Sequence, residues 1–137
     1  FYRTMFTVMA YHSARFSCLR KTYQGKVEEL PPFVSIRMPT VFQEKFPQLM
    51  SNLRINSHRL TTPFDLHETL EHLFEFHSPE PYQSKSNRSY SWFQLIPANR
   101  TCQDAQIEQH WCACLHWNEI PLTEPLIEQF AQQAIDY

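Results

Sequence analysis

Thr4-Met5-Phe6-Thr7-Val8-Met9-Ala10, followed at once by Tyr11-His12-Ser13-Ala14-Arg15-Phe16, is the stretch on which the reading of the fold turns. Residues 4–10 are apolar or β-branched almost without interruption, the pattern of a short strand covered on both faces in a parallel sheet. A second strand is expected over residues 33–38, Phe-Val-Ser-Ile-Arg-Met, where the pattern partly alternates and Pro31-Pro32 and Pro39 fix the ends. From Thr40 the period becomes three and four: Val41, Phe42, Phe46, Leu49, Met50 and Leu53 mark helix, with Pro47 either opening a second helix or kinking the first. The clearest helix starts at Thr62 as N-cap, with Pro63 at the first helical position and Asp65 near the positive end. Leu66, Leu70, Leu73 and Phe74 then form an apolar stripe expected to face the core.

Residues 78–91 are polar and poor in aliphatics, so they read as a linker or surface loop between a first unit, 1–77, and a C-terminal unit, 92–137. The second unit opens with Trp92 to Ile96, continues through a cysteine cluster, and closes with an amphipathic helix over about 122–135. With 137 residues, 42% of them apolar and 15% aromatic, the chain can bury a core of its own. Its single glycine, Gly25, against the roughly ten that average usage gives, leaves ten prolines to punctuate the chain. A formal charge of -2 with no basic run gives no footprint for nucleic acid, and no apolar run reaches the ~20 residues of a membrane helix. The chain opens without Met directly into a strand-like run, which reads as the middle of a longer polypeptide.

Two N-x-[ST] sequons, Asn87-Arg88-Ser89 and Asn99-Arg100-Thr101, lie in the polar region where a glycan could be attached. Cys102, Cys112 and Cys114 crowd together as they would around a disulfide in an oxidising compartment. Together these features predict a secreted protein. The expected bridge joins Cys102 to Cys112 or to Cys114, closing a loop worth about 2–3 kcal/mol. A zinc site on the alternating His110, Cys112, Cys114 and His116 is disfavoured. Residues two apart on a strand lie nearly ~7 Å apart along the chain, too far for four in a row to converge on one ion.

The run from Thr4 to Phe16 resembles the strand and Ser-Asp-His-Gly turn that carry metal ligands in alkaline phosphatases, sulfatases and phosphoglycerol transferases. The likeness extends in order through Tyr23-Gln24-Gly25-Lys26-Val27-Glu28-Glu29, Pro32-Phe33-Val34-Ser35-Ile36, Asn52-Leu53-Arg54-Ile55-Asn56, Arg59-Leu60-Thr61-Thr62-Pro63-Phe64-Asp65, Arg100-Thr101-Cys102 and His110-Trp111-Cys112. On these motifs the chain resembles an animal family of unknown function, expanded in nematodes, within that superfamily. The resemblance implies an α/β chain: the C-terminal part of an alkaline-phosphatase-like doubly wound sheet with a small disulfide-bearing extension. It also implies that the half carrying the nucleophile and further acidic ligands is missing.

By the same resemblance, full-length relatives would use a divalent metal (Zn, Mn, Mg or Ca) to hydrolyse phosphate or sulfate esters. Here Tyr11 stands at the Asp position, and a neutral phenol is a poor ligand, so His12 is left as a remnant metal ligand. Ser13 replaces the turn glycine. His58, His67, His72 and His77 recur at intervals that scatter them around a helix and are expected to be solvated. Lys26, Glu28 and Glu29 could line a substrate cleft. The expectation is therefore a secreted, glycosylated, degenerate member of a hydrolase family, inactive alone and binding no cofactor. The alternative is a secreted binding protein for anionic ligands, or a partner chain that completes a hydrolase. A missing N-terminal half or a second copy would then cover an exposed sheet.

Overall fold

The computed structural model describes residues 2–11, 18, 22–29, 31–76, 82–114, 121 and 125–135. In chain order these form strand β1 (Phe6–Ala10), helix α1 (Tyr23–Glu29), strand β2 (Phe33–Arg37) and helices α2 (Thr40–Lys45), α3 (Pro47–Asn56) and α4 (Pro63–Phe74). A 3-10 turn at Gln109–Trp111 and helix α5 (Pro125–Ile135) complete them. The class is thus mixed α and β, as the resemblance implied.

Both strands lie where the sequence places them, but their pairing does not follow the expectation of a parallel, twice-covered sheet. β1 and β2 pair antiparallel, Phe6 opposite Arg37 through Ala10 opposite Phe33. Two strands cannot cover both faces of a continuous apolar run, so Phe6 and Val8 of β1 and Phe33 of β2 lie exposed on one face, and Met9, opposite Val34 on the other face, is exposed as well. The other face tapers into the core through Ile36, with Met5 and Met38 beside it.

The core gathers Met38, Met50 and Phe93, with Phe42, Leu49, Leu53 and Leu73 packed against them. Phe42 is its hub, with ring centroids 5.0 Å from Phe46, 5.7 Å from Phe76 and 5.4 Å from Phe93, all at the tilted angles that aromatic quadrupoles favour. Of the two readings of Pro47, the structure takes the first: Pro47 opens α3 after a break at Phe46. α1 was not foreseen. Its side chains meet locally, Gln24 Nε2 donating to Glu28 Oε1 at 2.8 Å.

α4 begins where expected, on a full capping box. Asp65 N–H donates to Thr62 Oγ1, and Thr62 N–H donates to Asp65 Oδ2 at 2.6 Å. Its most buried face, however, is not the one the apolar stripe predicts, although Leu73 of that stripe packs against the core. Leu70 and Phe74 are exposed and Leu66 and Leu73 half-buried, whereas Asp65, Glu68, Thr69 and His72 are buried. The cause lies in what covers the helix. Residues 82–101 run over it without helix or strand, and apart from local turn bonds such as Gln94 N–H to the Ser91 carbonyl their backbone polar groups are met by polar side chains.

Candidate functional site

Asp65, Glu68, Thr69 and His72 are spaced three, four and seven apart, so they share one face of α4. Each meets a different point on the crossing segment. Thr69 Oγ1 accepts from the Trp92 N–H at 2.8 Å while donating to the Asp65 carbonyl at 2.6 Å. Asp65 Oδ1 accepts from the Tyr90 N–H at 2.8 Å. From α3, Asn56 Nδ2 donates to the Trp92 and Gln94 carbonyls, and its Oδ1 accepts from Ile96 N–H at 3.0 Å. Asn52 Nδ2 donates to the Phe93 carbonyl at 2.7 Å. An amide side chain offers both a donor and an acceptor, so one asparagine can replace a piece of missing strand ladder.

Arg100 locks the end of the segment. It grips Asp65 with both terminal nitrogens, Nη1 to Oδ2 at 2.8 Å and Nη2 to Oδ1 at 3.1 Å, in the bidentate geometry that matches guanidinium to carboxylate. Its remaining bonds run to the Leu60 and Arg88 carbonyls. Both side chains are inaccessible to water, 1% exposed for Arg100 and 0% for Asp65, so neither tolerates loss of the other.

Glu68 and His72 complete the row. Burial pushes the Glu68 carboxyl up, but the Lys85 N–H and the hydroxyls of Ser89, Tyr82 and Ser84 together outweigh it and hold the group below its ordinary range. Tyr82, half-buried beside that carboxylate, is pushed well up and stays protonated as a donor. His72, expected to be solvated, is only 5% exposed. It stacks flat on Tyr82 with centroids 4.1 Å apart, and its Nδ1 lies 2.8 Å from Ser91 Oγ. Burial lowers its pKa, with Glu68 pulling the other way, so it is held toward the neutral form. Ser91 Oγ also accepts from the Phe93 N–H. A hydroxyl oxygen accepts twice and donates once, so the Ser91–His72 pair is satisfied with either imidazole tautomer.

Past Arg100 the chain repeats the capping device. The Thr101 N–H and hydroxyl both donate to Asp104 Oδ2, each at 2.8 Å, and the Asp104 N–H returns a bond to Thr101 Oγ1. These donors hold the Asp104 carboxyl below its ordinary range. The turn closes at Gln106, whose φ of 52° is left-handed, with Ile107 N–H on the Cys102 carbonyl and Gln106 N–H on that of Gln103. Three of the stretches that carried the resemblance, 52–56, 59–65 and 100–102, meet in this clamp.

Residues 1–137 match the family described as "Protein of unknown function (DUF229)". The chain belongs to this family. No curated protein matches it. No solved structure matches it.

Of the residues that the sequence marks as a site in this DUF229 chain, the three cysteines lie together and the two sequon asparagines share one pocket, while the turn of the remnant metal ligand is described only at Tyr11. Tyr11 is 85% exposed at the end of β1, and His12 and Ser13 lie outside the described residues. His58 and His67 are exposed as expected, and His77 and His116 lie outside the described residues. Of the two bridges the sequence left open, the structure forms Cys102–Cys112, with Cα atoms 6.0 Å apart. Cys114 is free and exposed, yet the three sulfur atoms lie within 4.8 Å of one another. Among the described residues this is the one group of three candidate metal ligands, and two of its sulfurs are bonded to each other rather than offered as thiolates. Asn87 and Asn99, twelve residues apart, line one open pocket of about 340 Å³ together with Tyr90, Pro97, Arg100 and Asp104. Among the described residues no helix is long and apolar enough to cross a membrane.

Sequence reasoning missed the α4–Arg100 clamp. One signal was available: the i, i+3, i+4, i+7 spacing of Asp65, Glu68, Thr69 and His72 is that of a buried face, but a hydrophobicity scale counts such a face as solvated.

Proposed function

We propose that this DUF229 chain is a non-catalytic, scaffolding part of a secreted member of the alkaline phosphatase/sulfatase-like superfamily. One observation carries the reading: Asp65, Glu68 and His72, the buried groups with the chemistry for acid–base or metal work, are all engaged in holding residues 82–101. A hydrolase needs such groups presented to substrate. Tyr11, at the position where the resemblance puts an Asp ligand, points the same way. An exposed phenol does not fit a divalent-metal site, so no step is assigned to a metal, and His12 remains a remnant ligand. The Cys102–Cys112 bridge supports an oxidising, extracellular setting, with Asn87 and Asn99 as glycan acceptors. β1 and β2 would extend a doubly wound sheet, and residues 92–137 would form the disulfide-bearing extension to a core unit over 1–77.

Calorimetric titration with Zn²⁺ and Mn²⁺ of the chain and of Tyr11→Asp, each confirmed folded, tests this. Binding gained only by the variant supports a degraded metal site. Tight binding by the unaltered chain, or turnover of aryl phosphate or aryl sulfate, overturns the reading.

The exposed outer face of β1 and β2 favours a second role, as a partner chain that docks by its sheet. A sedimentation coefficient that rises with concentration, and that falls back to monomer in Val8→Lys, is the result expected of it.

A further inference from the structure

Ser89 and Thr101, the hydroxyl residues of the two sequons, are both accounted for by the fold: Ser89 Oγ donates to Glu68 Oε2 at 2.9 Å, and Thr101 caps the turn at Asp104. The asparagines are not. Both are exposed, neither side chain is bonded among the described residues, and both stand on the wall of the same pocket. Within that mostly polar wall Tyr90 and Pro97 supply apolar atoms, and Asp104 offers a carboxylate held ionised by its Thr101 donors. The Arg100 guanidinium, 5.0 Å from the Tyr90 ring centroid, fixes that ring in place. Apolar faces beside a few fixed polar groups are what a sugar ring requires, since its C–H face packs on an aromatic and its hydroxyls bond at the rim. At about 340 Å³ the pocket is at the small end of ligand clefts, room for one ring rather than for an oligosaccharide.

The two sequons differ in one respect. Ser89 is buried in the folded chain, whereas Thr101 is exposed, so the Asn99 sequon is the one that stays reachable after folding. Resting on the secreted, glycosylated reading above, we propose that the first N-acetylglucosamine of a glycan on Asn99 seats in the pocket formed by Tyr90, Pro97 and Asp104 and acts as an internal ligand of the fold. Covalent attachment at the wall gives the sugar a high effective concentration, so contacts too weak to hold a free monosaccharide suffice. The glycan then braces the turn that carries Arg100 and Cys102 and so the clamp on α4.

The test uses the chain secreted from cells that make only high-mannose glycans. Its melting temperature is compared intact, after trimming to one N-acetylglucosamine per site with endoglycosidase H, and after complete removal with a peptide amidase. The expected result is no change on trimming and a fall of roughly 3 °C on complete removal. Asn99→Gln reproduces that fall and Asn87→Gln does not, which separates loss of the sugar from the Asn-to-Asp conversion that the amidase causes. A fall already complete on trimming, no fall on removal, or a fall in Asn87→Gln instead each overturns the pocket assignment while leaving the secreted reading standing. Peptide masses showing both asparagines unmodified overturn both together.

Discussion

In the α3–α4 assembly polar side chains lie inside, and in the β1–β2 pair apolar side chains lie outside. Asp65, Glu68, Thr69, His72 and Asn56 are buried, while Phe6, Val8, Met9 and Phe33 are open to solvent. Both inversions follow from the backbone. β1 and β2 pair their facing N–H and C=O groups with each other, so their side chains are free to present an apolar surface. Residues 82–101 have no ladder of their own, so the helices beneath must bring donors and acceptors, and Leu70 and Phe74 of the α4 stripe face outward while Leu73 keeps its place at the core. The difference teaches that polarity in this chain follows backbone demand. A buried carboxylate here is a structural bracket before it is a candidate for chemistry.

The largest break in that contrast comes from Asp65→Ala or Arg100→Met. Either leaves one buried group unpaired and costs about 3–5 kcal/mol, measured by urea denaturation. Replacing both is not expected to restore stability, because Asp65 also serves the Thr62 and Tyr90 N–H groups. Next is the staple. Cys112→Ser opens the loop between Cys102 and Cys112 and costs about 2–3 kcal/mol, whereas Cys114→Ser, removing an exposed thiol, changes stability by less than about 0.5 kcal/mol.

Acid sharpens the same contrast. The His72 pKa is below 6.5 when folded, so on acidification the unfolded chain takes up the proton first and stability declines as pH falls through and below that value. Glu68, also depressed, contributes stability that is present above 4.5 and is lost as pH falls through its lower folded pKa. Stability against pH should therefore fall in two stages. His72→Gln, which keeps a partner for Ser91, should abolish the upper stage only. The smallest effect belongs to the hairpin: Val8→Thr with Phe33→Thr should move the folding free energy by less than about 0.5 kcal/mol per site in the monomer.

Much of the local structure was legible in the sequence. Thr62-Pro63-Phe64-Asp65 spells a helix start because capping uses only neighbours, and Pro47 and the prolines around β2 act through their own rings. The Cys102 bridge was legible to within one choice, which the structure settles as Cys112. What failed depended on distant partners. Nothing in residues 63–74 says that the strand-less segment 82–101 will lie on them, so His72 reads as solvated and Phe74 as core. The continuous apolar run at 4–10 reads as buried for the same reason: the pattern records that a surface seeks cover but not which surface provides it. The candidate site was less legible still, since it comprises Arg100, Asp65 and Asn56, residues brought together from up to 44 positions apart.

Amide hydrogen exchange on the folded chain tests the central claim most directly, at Tyr90, Trp92 and Ile96, whose N–H groups end on Asp65, Thr69 and Asn56. The account predicts that all three are slow despite lying outside any helix or strand, and that Thr69→Val speeds exchange at Trp92 by about tenfold while the amides of α4 keep their protection. Exchange at the rate of an unstructured peptide in the unaltered chain, or a Trp92 amide indifferent to Thr69→Val, would contradict it.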